Sequence, residues 1–318
     1  MKMIFNLPIS MYIKSKIFSL INLVRKEAVR LIQGETPTSI SDQSVPDSSQ
    51  LTYITTHSLQ VSKQNNILTL VLNRPEVLNA IDMELVQALR TRLQKAAIDT
   101  TVRVVVITGN GRAFCAGGDL KFALAANPEQ PGDSFMALTT ILHECIELIR
   151  GMQKPVIAAI NGPAAGAGLF LALACDIRIM AQAAYLKVSN TSYGLSLPAG
   201  GTYTLPRLLG MSKALEIVIL DRPVSAKKAY SLGLVTRVVE SGSLFSQAQS
   251  LATELSQKAV HALGQIKQLM NESLTHNLNE QLLAEQEAIV KSANHREGRE
   301  GLAAFLEKRT PEFTKIIQ

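Results

Sequence analysis

Two stretches of small residues stand where a strand gives way to a turn, and any chemistry they do belongs to the backbone. The first is Gly109-Asn110-Gly111-Arg112-Ala113-Phe114-Cys115-Ala116-Gly117-Gly118-Asp119, directly after the apolar run Val102 to Thr108. The second is Asn161-Gly162-Pro163-Ala164-Ala165-Gly166-Ala167-Gly168, after Pro155 to Ile160 and before the apolar, helix-prone stretch Leu169 to Cys175. Small residues leave N–H groups uncovered, so two such turns brought together can aim two donors at one oxygen, as an oxyanion hole does. Taken singly, each is a tight turn. A phosphate cradle fits the second poorly, because its glycines run G-x-x-x-G-x-G and Asp176 follows too soon for a ribose contact. The first is no P-loop, since no Gly-Lys-Ser/Thr follows it.

The elements that must position these turns alternate. Leu59 to Ser62 and Ile67 to Leu72 read as a hairpin about Asn65-Asn66, stopped by Asn73-Arg74-Pro75. A helix is expected from Asp82, its N-cap, to about Ala97, with Leu85, Leu89 and Leu93 on one face. The β-branched run Val102 to Thr108 suits a strand buried on both faces. A helix over Ser134 to Gly151, strands at Val156 to Ile160 and Ile177 to Ala181, a helix at Ser212 to Leu220 and a strand at Leu234 to Val239 continue the rhythm. Such alternation implies an α/β fold with largely parallel pairing, and after Leu244 the pattern is helical.

Before the core, Met1 to Gln33 carries six cations against the single acid Glu27, with Ile13, Ile17, Leu20, Ile21, Val24, Ala28 and Leu31 at helical spacing. This basic amphipathic helix reads as an accessory helix, a peripheral membrane contact or a transit peptide. Gly34 to Gln50 is polar and reads as a linker. The expected organisation is therefore 1–33 extension, 34–50 linker, 51–243 core and 244–318 helical region.

The chain has 318 residues, 47% of them hydrophobic, and a formal charge of +6. Charged residues interrupt every apolar run before it is long enough to span a bilayer. Without Trp and with aromatics at 5%, no basic stripe interleaves with stacking residues, so no nucleic-acid partner is expected. Cys115, Cys145 and Cys175 form no CxxC and leave one thiol over in any disulfide scheme, which suits a reducing compartment. His57, His261, His276 and His295 lack partners at ligand spacing, and no metal is expected.

Several ordered motifs resemble the enoyl-CoA hydratase/isomerase (crotonase) superfamily. They are Leu72-Asn73-Arg74-Pro75 with Asn79-Ala80, Ala113 to Leu120, Lys154-Pro155 through Gly168, Cys175-Asp176, Gly200-Gly201-Thr202, Leu205-Pro206-Arg207, Gly233-Leu234-Val235 and Glu300 to Arg309. The resemblance covers about residues 55 to 313. It implies a crotonase-like spiral of ββα units, a C-terminal helical trimerisation region, and a homotrimer or hexamer. It also implies an acyl-CoA thioester as substrate, with coenzyme A entering only as part of it and no separate cofactor. By the match, the oxyanion donors belong to Ala116 and Ala167. Val77, Leu78, Ala80, Gly118, Asp119, Leu120, Gly166, Phe170, Asn190 and Pro198 line the substrate, and Phe305 and Lys308 close over the CoA nucleotide.

The sequence departs from the family at three places where acids recur. Ungapped alignment sets Phe170, Asn190 and Pro198 there, none of them ionisable. Asn orients a water or a substrate group but is no general base. Two-carboxylate hydration is therefore not expected, and three readings stay open: an enolate-stabilising hydratase/isomerase-type enzyme, a non-catalytic acyl-CoA binder, and a thioester decarboxylase that needs no base. His143 and Glu147, with Glu144, either overhang the acyl pocket or belong to the surface. Tyr193, Tyr203, Ser189, Ser192 and Ser196 lie near the segment expected to line the site. Cytoplasmic placement is expected, or mitochondrial if the extension is a transit peptide.

Overall fold

A two-residue turn at Asn65 and Asn66, both left-handed at φ 49° and 65°, joins β1 (Leu59–Gln64) to β2 (Ile67–Leu72) in an antiparallel hairpin. This is the turn geometry that matches strand twist, and asparagine tolerates it. The structure, a computed structural model, describes residues 54–126 and 128–315, so the extension expected over Met1 to Gln33 and the linker over Gly34 to Gln50 lie outside the described residues. Helix α1 (Met83–Ile98) starts at Asp82, whose carboxylate accepts from the Leu85 N–H. β3 (Val104–Gly109) follows, its first five residues wholly buried, as a continuous β-branched run requires. Then come α2 (Leu120–Ala126), α3 (Gly132–Gly151), β4 (Val156–Ile160), the short β5 (Ala164–Ala165), and α4 (Ala167–Ala174). β6 (Ile177–Ala181), β7 (Tyr185–Lys187), α5 (Gly201–Leu209), α6 (Met211–Leu220), β8 (Val224–Ser225), α7 (Ala226–Ser231) and β9 (Arg237–Val239) complete the sheets.

The larger sheet has the order β1-β2-β3-β4-β6-β9, parallel throughout except at the hairpin, and β5-β7-β8 form a second sheet. The α/β architecture is the expected one. The last strand is shorter than the expected Leu234 to Val239, because the Leu234 and Val235 N–H groups instead close the turn after α7 on Ala229 O.

Helices α8 (Leu244–Ser256), α9 (Val260–Glu272), α10 (Leu278–Asn294) and α11 (Arg296–Leu306) follow. The boundary at 244 cuts across the packing, since α8 buries Leu244, Ala248, Leu251 and Ala252 against β2, β3, β4 and β6. Arg103, just before β3, ties this region down. Its Nε donates to Ser256 O at 2.6 Å and its Nη1 to Glu297 Oε1 at 2.8 Å. No helix among the described residues is long and apolar enough to cross a membrane.

Candidate active site

The two glycine turns follow β3 and β4, neighbouring parallel strands, and so emerge side by side at the same sheet end. Two asparagines fasten them. Asn79, fully buried and left-handed at φ 58°, donates from Nδ2 to Asn110 O (2.9 Å) and Ala113 O (2.8 Å), while its Oδ1 accepts from the Arg74 N–H. Asn161 donates to Gly111 O at 2.9 Å and Ala113 O at 3.1 Å, and accepts from the Gly109 N–H. Main-chain bonds then join turn to turn: Phe114 and Cys115 donate to Pro163 O, and Ala165 donates to Cys115 O at 2.9 Å. The backbones approach too closely for any side chain. A Cβ on Gly162 would stand 2.1 Å from Arg112 O, and one on Gly168 2.4 Å from Cys115 O.

The two expected donors differ. Ala167 is the first residue of α4, so its N–H has no partner within the helix, and among the described residues no backbone acceptor takes it. Gly117 approaches it, since a Cβ there would lie 3.4 Å from Ala167 N. The Ala116 N–H, by contrast, already donates to Leu78 O at 3.0 Å. Leu78 is left-handed at φ 56°, an unfavourable conformation for leucine that turns its carbonyl onto the first glycine turn.

A cavity of about 130 Å³ opens on these turns. It has room for ordered water or a short acyl group. Ile81, Leu120, Phe135, Leu138 and Leu142 make its apolar wall, Ala116, Gly117, Gly118, Gly166 and Ala167 its floor, and Thr139, Ser189, Asn190, Tyr193, Leu195 and Pro198 the remainder. Among the described residues its lining holds no Asp, Glu, His, Lys or Arg.

Of the residues expected to line the substrate, Ala116, Gly118, Leu120, Gly166, Ala167, Asn190 and Pro198 meet here, and the others do not. Val77 closes a 3-10 turn, Leu78 offers its carbonyl to Ala116, and Ala80 O accepts from Arg74 Nη1 at 2.6 Å. Asp119 pairs with Arg74 at 3.1 Å and caps α2 by accepting from Lys121 N. Phe170 is buried beneath Gly201, where a Cβ would meet its ring at 2.7 Å; it fills the core between α4 and α5. Phe305, 80% exposed, and Lys308 lie at the end of α11 and do not line the cavity.

The cavity wall that sequence reasoning missed is the inward face of α3. Phe135, Leu138, Thr139 and Leu142 recur at helical spacing, a signal that was available. The polar residues His143, Glu144 and Glu147 of the same helix lie off that face. His143 is exposed and its Nε2 accepts from the Ala199 N–H at 3.1 Å, Glu144 pairs with Arg90, and Glu144 and Glu147 border a separate groove beside Gln94 of α1. Tyr203 takes Arg207 over its ring. Burial pushes the Cys115, Cys145 and Cys175 thiols up to about 12, so none offers a thiolate near neutrality.

The segment after β7 is held by Asp221, left-handed at φ 45° after α6. Its Oδ1 accepts from Ser189 N at 2.6 Å, and its Oδ2 from Ser192 N and the Ser192 hydroxyl. Burial alone would raise this carboxyl, but the hydrogen bonds from Ser192 and Ser189 outweigh it and hold the pKa below the usual value. Asn190 sits between the two clamped serines, donating from Nδ2 to Ser196 O at 3.0 Å.

A spiral of strands and helices with an open backbone N–H beside a small apolar cavity defines a crotonase-type fold. A sequence profile described as enoyl-CoA hydratase/isomerase matches residues 62–316. The chain is 37% identical to the 1,2-epoxyphenylacetyl-CoA isomerase of Escherichia coli K12, over 79% of its own length and 96% of that protein's. It is 36% identical to the 2,3-dehydroadipyl-CoA hydratase of the same organism, over 80% and 98%. Among solved structures, an enoyl-CoA hydratase from Polaromonas sp. JS666 superposes with a TM-score of 0.76 at 40% identity, covering 80% of this chain and 98% of that one. The chain belongs to the enoyl-CoA hydratase/isomerase family and is an enzyme of that type.

Proposed function

We propose that the protein binds an acyl-CoA thioester with the thioester oxygen on the Ala167 N–H, and stabilises the enolate-like oxyanion that forms when a bond beside the carbonyl breaks. The observation that carries this reading is the open Ala167 N–H at the floor of a short apolar cavity. One such donor is worth about 10²–10³ in rate. The second donor, Ala116 N–H, joins when the substrate oxygen replaces or shares Leu78 O, so the full hole assembles on binding. No cofactor beyond the CoA of the substrate takes part.

Proton transfer in this reading uses no cavity carboxylate. Phe170 packs in the core, Pro198 does not titrate, and Asn190 accepts without exchanging a proton. Hydration of crotonyl-CoA is therefore expected to lie far below that of a two-carboxylate relative, each general acid or base being worth about 10²–10⁴. Asn190→Glu is expected to raise it. Wild-type turnover equal to that of such a relative would overturn the reading. The carboxylate-free lining equally favours loss of carbon dioxide from a malonyl-type thioester, which needs the hole and no base; turnover of malonyl-CoA without turnover of crotonyl-CoA would select it.

Assembly completes the proposal. Exposed Met211, Leu215 and Ile219 on α6, with Leu278, Leu282 and Ile289 on α10, offer the apolar area a homotrimer or hexamer would bury. Phe305 and Lys308, which are not among the cavity-lining residues of their own chain, would then cover the CoA nucleotide of a neighbouring copy.

A further inference from the structure

Helix α11 is held at one end. Of its eleven residues only Glu297 and Ala304 are buried, and a cavity of about 250 Å³ bordered by Ile289, Gly298, Gly301 and Leu302 lies where it meets α9 and α10. The hold is in the first turn. Glu297 Oε1 accepts from Arg103 Nη1 and its Oε2 from the His261 N–H, each at 2.8 Å, which ties α11 to the approach of β3 and to the start of α9. His295 supplies the rest. It ends α10 and begins α11: its N–H donates to Lys291 O at 3.0 Å, and its Nδ1 accepts from the Glu297 N–H at 3.2 Å. Its ring lies on that of His261, with centroids 3.9 Å apart and planes 15° from parallel. His261 Nε2 is buried with no hydrogen-bond partner among the described residues, so the stack, and not a bond from that nitrogen, places the second ring.

Serine, threonine, aspartate and asparagine are the usual helix caps, and none of them changes charge near neutrality. An imidazole does. Nδ1 accepts only while it carries no proton, so the capping ring is neutral with its hydrogen on Nε2. A proton added at Nδ1 turns the acceptor into a donor facing the Glu297 N–H, and sets a cation at the N-terminus of α11, whose dipole opposes it. The C-terminus of α10 and the Glu297 carboxylate pull the other way. Burial of the ring and then the charge of His261, with Arg296 and Arg299 adding to them, outweigh Glu297 and hold His295 below the usual histidine value. Lys291, one turn earlier on α10, pairs with Glu287, and Arg103 is engaged by Glu297.

We infer that His295 and His261 form an acid-sensitive catch on the C-terminal helix: protonation of His295 withdraws the cap, and α11 opens from α9 and α10 while the sheet and α1 stay folded. Phe305 and Lys308 lie at the far end of α11, so the catch holds the segment that the proposed function sets over a CoA nucleotide, and it works the same whatever α11 covers. The direction with pH is fixed. The folded-state pKa of His295 lies below the unfolded one of about 6.5, so the catch is complete above that pH and weakens as the pH falls from there toward the lower folded value. Glu300 of the same helix is held down to about 2 by Arg309 and stays charged throughout.

Hydrogen–deuterium exchange of the full-length protein, read by mass spectrometry at pH 7.5 and 5.5 and divided by the intrinsic rates at each pH, tests this. Protection of peptides from Arg296 to Leu306 is expected to fall about tenfold, the ratio set by one pH unit below an unfolded value of about 6.5, while α1 keeps its protection. His295→Asn, a cap without a charge, is expected to hold the protection of α11 level between the two pH values. His261→Phe, a ring without a charge, is expected to reduce the fall to about threefold. Unchanged protection in the wild type would overturn the inference, and so would a tenfold fall that survives in His295→Asn. A fall shared equally by α1 would overturn it as well, being general acid unfolding. Should His295→Asn not fold, an undiminished fall in folded His261→Phe counts against it equally.

Discussion

The paired glycine turns and the segment 189–199 border the same cavity and are built on opposite principles. The turns put backbone to backbone, stapled by Asn79 and Asn161, with no side chain offered to the cavity larger than a methyl group at Ala116, Gly117, Gly118, Gly166 and Ala167. The other segment has little regular structure and presents side chains: Ser189, Asn190, Tyr193, Leu195 and Pro198. Backbone N–H groups are the same whatever residue carries them, so in the proposed reading the turns supply a charge-stabilising device that many reactions share. Side chains differ, so in that reading the choice of reaction and ligand falls to the second segment. A family resemblance therefore reaches the first region and says much less about the second.

The sharpest break between the two is steric. Gly168→Ala is expected to destabilise by about 3 kcal/mol or more, because its Cβ would collide with the Cys115 carbonyl, which cannot yield without parting the turns. The denaturant midpoint of the purified variant measures it. A shift under about 1 kcal/mol would show that the turns are not locked together.

Next in size is a change confined to the second region. Asn190→Glu is expected to raise crotonyl-CoA hydration by about 10²-fold, the lower end of what a positioned acid or base supplies. Steady-state kinetics check it, with the melting temperature showing that the fold is kept. No increase in a folded variant would mean that residue 190 does not face the acyl carbons.

Smaller still is the effect of loosening the clamp. Asp221→Asn weakens the grip on Ser189 and Ser192, and is expected to weaken butyryl-CoA binding about threefold by calorimetry while stability changes by about 1 kcal/mol or less. The pH dependence has a defined sign. The folded-state pKa of Asp221 lies below its unfolded value, so its contribution is complete above about pH 4 and fades as the pH falls through the lower folded value. Butyryl-CoA affinity measured between pH 5 and 8 is therefore expected to be flat on account of this group.

The smallest effect belongs to Gly118. A Cβ there would touch only Leu138 Cδ2 at 3.7 Å, an ordinary contact, so Gly118→Ala is expected to stay within about 0.5 kcal/mol of wild type. Against Gly168→Ala, it separates glycines required by close approach from those that are merely present.

The sequence made the scaffold legible wherever a residue type has one structural use. Asn65-Asn66 announces its turn, Asp82 its cap, and the β-branched run its buried strand. The glycine turns were legible too, as stretches of small residues that follow β3 and β4. What escaped depends on groups that every residue possesses or on three-dimensional company. The Leu78 carbonyl on Ala116 has no signature in a leucine. Phe170 reads as a pocket residue until Gly201 is found packed on its ring. His143 and Glu144 drew notice as ionisable groups, whereas the apolar spacing of Phe135, Leu138 and Leu142 marked the face that turns inward. Asn190 was legible as a missing acid, but the direction of its amide is set by Ser196 O, six residues on.

The central claim is that a thioester carbonyl lodges against the Ala167 N–H. Isotope-edited infrared difference spectra of butyryl-CoA labelled with carbon-13 at the thioester carbonyl, free and bound to the full-length protein, test it directly. The account predicts that the carbonyl stretch moves to lower frequency on binding, as hydrogen bonding polarises the bond, and that the shift persists in Asn190→Leu because that residue does not touch the carbonyl. A bound ester whose carbonyl frequency is unchanged would contradict it.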